Sequence, residues 1–220
     1  YGDHRDLHSF LHDALPISHL GPIGDFKDTK SDGYLVEVLI HLWNPICSAF
    51  RLGKKEMTVT IEEVSGLLNL PIHGTAVIFP FVSSKDEFCH FTGLKESVIQ
   101  GFDQGIDVKF LFDRFTLRDG CERHLGDFSF TFEAMWEHKR LWVYGLVMAG
   151  TYLFLRKDKK IAFKLTKVMF DLFLGIKDRQ CSIVPTILAD IFVACTTCQR
   201  SEKFFHGSNL VHTYGLWTTL

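Results

Sequence analysis

Apolar residues recur along most of the chain with the spacing of amphipathic or buried helices. The dense apolar segment that starts at Tyr34 predicts a helix over about 33–43. Asn44-Pro45 ends it, because proline disfavours helix in the residue before it and Asn-Pro initiates turns. The same reasoning predicts helices over 83–91, 93–102, 108–115, 131–155, 166–174, 184–199 and 209–220, and a loop over 118–127. These segments predict a mostly α fold, arranged as a single helical domain.

Strand signals are few and short. Alternating runs around Gly53-Lys54-Lys55-Glu56 predict a small β-hairpin near residues 49–59, in the N-terminal third of the chain. A second alternating run over 160–165 predicts a brief strand.

A capping box follows the predicted hairpin. The Thr60 side chain can accept from the backbone N–H of Glu63, while the Glu63 side chain can reach back to the backbone N–H of Thr60. The apolar face of the helix that starts here comprises Ile61, Val64, Leu67 and Leu68, and Leu70-Pro71 ends the helix. We interpret this segment as structural.

The longest uncharged apolar run covers residues 141–155. A bilayer span needs roughly 20 such residues, so the run predicts a buried core helix and not a membrane segment.

Composition narrows the function classes. Hydrophobic residues make up 46% of the 220 residues, which excludes disorder, and the 21 Phe residues should be mostly buried because the ring has no polar group. A net charge of −2 argues against strong nucleic-acid binding. The best local basic patch is Arg156-Lys157-Asp158-Lys159-Lys160, which we interpret as a solvated turn after an apolar helix in preference to a nucleic-acid contact. Six scattered cysteines and no visible secretory signal indicate an intracellular, reducing compartment.

The first thirty residues predict little structure. Residues 11–18 resemble a translated sequencing adapter, so we expect a poorly ordered segment over 1–30. His4, His8 and His12 share helical spacing there, but for the same reason we assign them no metal. The chain starts without Met and stops within a helical pattern, so we expect both ends to be assembly ends and the domain over 31–220 to be truncated at its C-terminus.

Candidate chemistry is sparse. Cys195-Thr196-Thr197-Cys198 is a CxxC pair inside a predicted helix. This placement favours two buried or half-buried cysteines over the alternatives, a redox motif or half a metal site with His206 or His212. Cys89 and His90 are adjacent on a helix and therefore do not face each other. Glu62-Glu63 and Asp86-Glu87 suit helix first turns. No phosphate-binding glycine loop or nucleophile elbow occurs. We therefore assign no catalytic, cofactor-binding or metal residue.

Two segments carry a family resemblance. The first runs from Val36 to Gly74 and comprises Leu42-Trp43-Asn44-Pro45, Phe50-Arg51-Leu52, residues 56–64 (EMTVTIEEV) and residues 67–74 (LLNLPIHG). It resembles the aminotransferase-like plant mobile domain family, with Asn69 where that family commonly has glycine and Asn44 within the W-x-P turn. The second, with Val184-Pro185 to Asp190 and later Phe205 and Gly207, is similar to a related, uncharacterised domain of plant retroelements.

The resemblance implies a plant source, a mostly helical fold, an origin in transposable elements, and nuclear silencing or genome maintenance. It implies no established catalytic residues. A pyridoxal phosphate enzyme would need a large α/β scaffold, and the required strand–helix alternation is absent from this sequence. We therefore expect a non-enzymatic, nuclear interaction module with protein partners and without cofactor. The alternatives are an enzyme of unknown type and a weak nucleic-acid-binding domain.

Overall fold

A computed structural model describes residues 33–80, 84–116, 118–130, 133–154, 156, 158, 160–176 and 181–200 of the chain. The helices in this part are α1 (Gly33–Leu42), α2 (Ile61–Leu68), α3 (Lys85–Thr92), α4 (Glu96–Ile99), α5 (Val108–Phe115), α6 (Arg118–Arg123), α7 (Glu133–Met148), α8 (Lys164–Ile176) and α9 (Val184–Arg200). The strands are β1 (Trp43–Asn44), β2 (Ala49–Leu52), β3 (Lys55–Met57), β4 (Thr75–Ala76), β5 (Gly105–Asp107), β6 (Lys160–Ala162) and β7 (Cys181–Ser182). The mostly α class predicted from sequence is confirmed.

The described residues form three small sheets, two of which join distant parts of the chain. β1, β2 and β3 form an antiparallel meander in which Trp43 lies opposite Phe50, and Phe50 lies opposite Met57. β4 pairs in parallel with β7, and β5 pairs antiparallel with β6. At the latter pair, a Cβ on Gly105 would lie 2.5 Å from the carbonyl oxygen of Ile161, so only glycine allows this approach.

One core cluster runs through the described residues and is dominated by helices. α7 contacts α3, α5 and α8, and its buried side chains include Trp136, Val143, Tyr144 and Leu146. A π-helical turn (Ala149–Leu153) continues α7, so the long helix predicted over 131–155 is present over 133–153, while residues 131, 132 and 155 lie outside the described part. Burial of the apolar run agrees with its interpretation as a core helix. No helix in the described part of the chain combines the length and the apolar character needed to cross a membrane.

The capping box at α2 is present as predicted. The Glu63 backbone N–H donates to Thr60 Oγ1 at 3.2 Å, and the Thr60 N–H donates to Glu63 Oε2 at 2.8 Å. Asn69 ends the helix in the left-handed region, at φ 50°. Asparagine tolerates this conformation better than most residues with a side chain, which suits it to a helix C-terminus.

Two predictions of local structure were wrong. Residues 118–127, predicted as a loop, form α6 and a 3₁₀ turn (Leu125–Asp127). Of the helix predicted over 93–102, only Glu96–Ile99 is helical, because Gly93 instead ends α3 in the left-handed region, at φ 78°. The helix predicted over 33–43 is present as α1 and ends one residue earlier, where Trp43 pairs with Phe50 as part of β1. The helix predicted over 209–220 lies outside the described residues, as does the segment 1–30.

Candidate binding site

The CxxC pair lies inside α9, where both cysteines are buried. Burial raises the pKa of Cys195 to about 12, and the neighbouring Cys198 adds to the shift. A thiol with so high a pKa carries almost no thiolate, the form that attacks disulfides and binds metals. The prediction of two buried helix cysteines is therefore confirmed, whereas His206 and His212 lie outside the described part.

Cys89 and His90 sit on α3 and make different contacts. Burial, followed by the negative charges of Glu96 and Asp86, raises the pKa of the Cys89 thiol. The exposed His90 ring instead lies edge-on to Phe170 of α8, with the centroids 6.4 Å apart. This geometry does not pair a thiolate with a general base.

A groove of about 140 Å³ opens between α3 and α8. Its lining comprises Glu87, His90, Thr166, Lys167 and Phe170. Helical spacing places these side chains on the two faces that meet at the groove. Glu87 and His90 are three residues apart on α3, and Thr166 and Phe170 are four apart on α8. Thr166 is buried, and its hydroxyl has no hydrogen-bond partner among the described atoms.

Charges at the groove are partly compensated. Lys167 Nζ forms an ion pair with Asp171, one turn further along α8. Glu87 is exposed and has no ion-pair partner among the residues that the structure describes. Asp86 and Glu96 lie close to Cys89, as their effect on its pKa shows, and neither lines the groove. The surface that lines the groove is mostly apolar carbon, with one carboxylate, Glu87, whose charge no described cation pairs with, and one ammonium, Lys167, that Asp171 already pairs with.

Lys139 is a buried lysine behind α3. Its Nζ donates to the backbone carbonyl of His90 at 2.6 Å and lies 4.9 Å from the centroid of the Trp142 ring. Burial lowers the pKa of Lys139. Since the carbonyl belongs to the last turn of α3, the ammonium is placed where a helix C-terminus favours positive charge. A structural role explains this lysine without a Schiff base.

The basic segment at 156–160 is internally paired. Arg156 donates two hydrogen bonds to Asp158, at 2.9 and 2.7 Å. The bond to Arg156 is the largest cause that lowers the pKa of Asp158. Lys157 and Lys159 lie outside the described residues. The arginine is thus less available for phosphate contacts than the sequence alone indicates.

Four exposed apolar side chains lie on neighbouring elements. Tyr34 and Val38 are one turn apart on α1, Ile46 occupies the turn between β1 and β2, and Val193 is on α9. α9 packs against both α1 and β1. Ile46 is 94% exposed, Tyr34 77% and Val193 64%. We call this set the apolar surface.

Sequence reasoning assigned no site residues and missed both features. The groove unites α3 with α8, about eighty residues later in the chain, so no local motif marks it. Within the described residues, no group of three or more His, Cys, Asp or Glu side chains could hold a metal ion.

Comparisons of the chain with protein-family models, curated proteins and solved structures gave no match.

Proposed function

We propose that this chain is a single helical domain that acts as a non-enzymatic interaction module and binds a protein partner through the apolar surface. The observation that carries the proposal is the exposure of Tyr34, Ile46 and Val193 on elements that contact one another. The proposal takes the side chains on these adjoining elements to share one face, since a contiguous apolar patch is typical of interaction sites whereas isolated exposed apolar residues are ordinary.

The backbone beneath the apolar surface is well supported. Trp43 packs against Phe50 and Phe192, and its indole N–H donates to Thr196 Oγ1 at 3.0 Å. Gln199 also donates to the Trp43 carbonyl. In the turn, the Ile46 N–H donates to Asn44 Oδ1 at 3.1 Å. A turn held in place before binding loses less conformational freedom when the partner arrives.

The resemblance to the plant mobile domain family supplies the cellular context of the proposal. A nuclear partner that functions in the silencing of transposable elements would be consistent with both the resemblance and the apolar surface.

An enzyme remains the rival proposal, and the transferase in the family name makes it testable. Lys139 is the lysine with the least exposed side chain in the described part. If the module proposal is right, pyridoxal phosphate added to the protein gives no Schiff-base absorbance, and borohydride leaves no lysine adduct. A reducible adduct on Lys139 would support the enzyme.

Cys47 provides the direct test of the apolar surface, since its exposed free thiol follows Ile46. A benzophenone maleimide attached there should crosslink, in plant nuclear extract, to a discrete protein. The matched control places the label on the exposed position 122, as Glu122→Cys in a Cys47→Ser background, and should give no such product. Equal crosslinking from both positions, or none from Cys47, would contradict the proposal.

A further inference from the structure

We propose that the groove between α3 and α8 binds the side chain of an arginine carried by a protein partner. The inference rests on the proposed function, since it supplies a second contact for the same kind of partner, but it uses residues outside the apolar surface.

The size of the groove fits a guanidinium group. A cavity of about 150 Å³ holds benzene, and this groove measures about 140 Å³. A guanidinium with the two methylene groups next to it has as many heavy atoms as benzene. The third methylene group of arginine, the one next to its Cα, would lie at the mouth of the groove, where the partner's backbone passes.

The groove wall favours arginine over lysine. Phe170 offers an aromatic ring, and planar guanidinium groups stack on such rings. The mostly apolar wall also penalises strongly hydrated groups, and a guanidinium is more weakly hydrated than an ammonium.

Charge complementarity selects a cation. Glu87 at the rim can accept two hydrogen bonds from one guanidinium, and no described cation occupies it. Lys167, the lysine of the lining, is paired with the Asp171 carboxylate, and Lys139, which does not line the groove, donates to the His90 carbonyl.

The test uses N-acetylarginine amide as the probe and the imidazole signals of the histidines in NMR as the readout. Millimolar affinity is the expected range for a single side chain, roughly 4 kcal/mol. The His90 signals should shift and saturate with the arginine probe, and shift less with N-acetyllysine amide. The uncharged N-acetylcitrulline amide should leave them unchanged. Equal shifts with citrulline, or no saturation with arginine, would overturn the proposal.

Two variants locate the site. Glu87→Gln should weaken arginine binding by about two- to fivefold, the loss expected for an exposed ion pair. Phe170→Leu keeps an apolar wall without the ring face and should weaken binding as well. The matched control, Glu122→Gln, removes a carboxylate that is also exposed and helical but does not line the groove, and should leave the affinity unchanged. Identical affinity in Glu87→Gln and in the parent chain would contradict the proposal.

Failure here and failure of the proposed function are distinguishable. Arginine binding without crosslinking from Cys47 would support the groove as a binding site and contradict the proposed role of the apolar surface. Crosslinking without arginine binding would do the reverse.

Discussion

Two regions of this molecule reach helical structure by different routes. α2 starts with hydrogen bonds between Thr60 and Glu63, which are three residues apart. The segment from 93 to 130, which contains α4, α5 and α6, is held by contacts between its two ends. Two backbone hydrogen bonds join these ends. The Lys95 N–H donates to the Asp127 carbonyl and the Ser129 N–H donates to the Gly93 carbonyl, both at 2.8 Å.

The difference shows which interactions a local pattern can reveal. The capping box lies within four consecutive residues, and it was predicted together with the helix it starts. The 93–130 segment depends on partners more than thirty residues apart, and its last part was predicted as a loop although it is helical. We therefore expect the two regions to respond differently to substitution.

The largest effect should come from Arg114→Ala. The Arg114 guanidinium contacts Asp127 at 2.7 and 2.9 Å and donates to the Phe110 carbonyl at 3.3 Å, and its side chain is only 13% exposed. Removing the guanidinium leaves Asp127 without this partner and should lower the free energy of unfolding by about 2–3 kcal/mol. The melting temperature should fall by about 5–10 °C in calorimetry.

Arg51→Ala is the matched control for Arg114. The Arg51–Glu56 pair has a similar separation, 3.0 Å, but its side chains are 60% and 47% exposed. Its loss should cost less than about 1 kcal/mol. Equal destabilisation by the two variants would show that Arg114 does not fasten the 93–130 segment.

Two glycine substitutions, one in each region, should change the free energy of unfolding in opposite directions. Gly93 ends α3 at φ +78°, and an added Cβ would overlap the Phe130 ring. Gly93→Ala should therefore destabilise the protein by about 1–2 kcal/mol. Gly66 is exposed inside α2 with open space around it, so Gly66→Ala should stabilise by about 0.5–1 kcal/mol. Chemical denaturation measures both, and a shared sign would refute the comparison.

Thr60→Ala should have a smaller effect than Arg114→Ala. It removes one of the two capping-box hydrogen bonds, which costs about 1 kcal/mol. The melting temperature should fall by about 2–4 °C. No change would mean that α2 does not depend on this cap.

Much of the helical framework could be predicted from the sequence. α5 occupies the predicted residues 108–115, and α9 starts at Val184-Pro185, where proline suits the first turn. What could not be predicted depends on distant partners. The parallel pairing of Thr75 with Cys181 leaves no local signal, and neither does the strand pairing that ends α1 at Trp43.

The same limit applies to the candidate sites. The patterns around Cys195, Cys198 and His90 were visible, and the structure assigns the two thiols to the core and the imidazole to a groove. In the sequence, Phe170 and Lys167 occupy ordinary positions of an amphipathic helix. Only the packing of α3 against α8 places them in the groove. Ile46 is exposed because it lies in the turn between β1 and β2 and not in a strand.

The central claim is that the apolar surface binds a partner and that α2 does not. The most direct measurement is the crosslinking yield from labelled Cys47 in nuclear extract, per folded molecule, for Ile46→Asp and Thr60→Ala. Ile46 is 94% exposed, so its replacement should change stability by less than about 0.5 kcal/mol. We predict that Ile46→Asp abolishes the crosslink at an unchanged melting temperature, whereas Thr60→Ala lowers the melting temperature and preserves the crosslink. An unaffected yield in Ile46→Asp, or loss of the crosslink in Thr60→Ala at an unchanged melting temperature, would contradict the account.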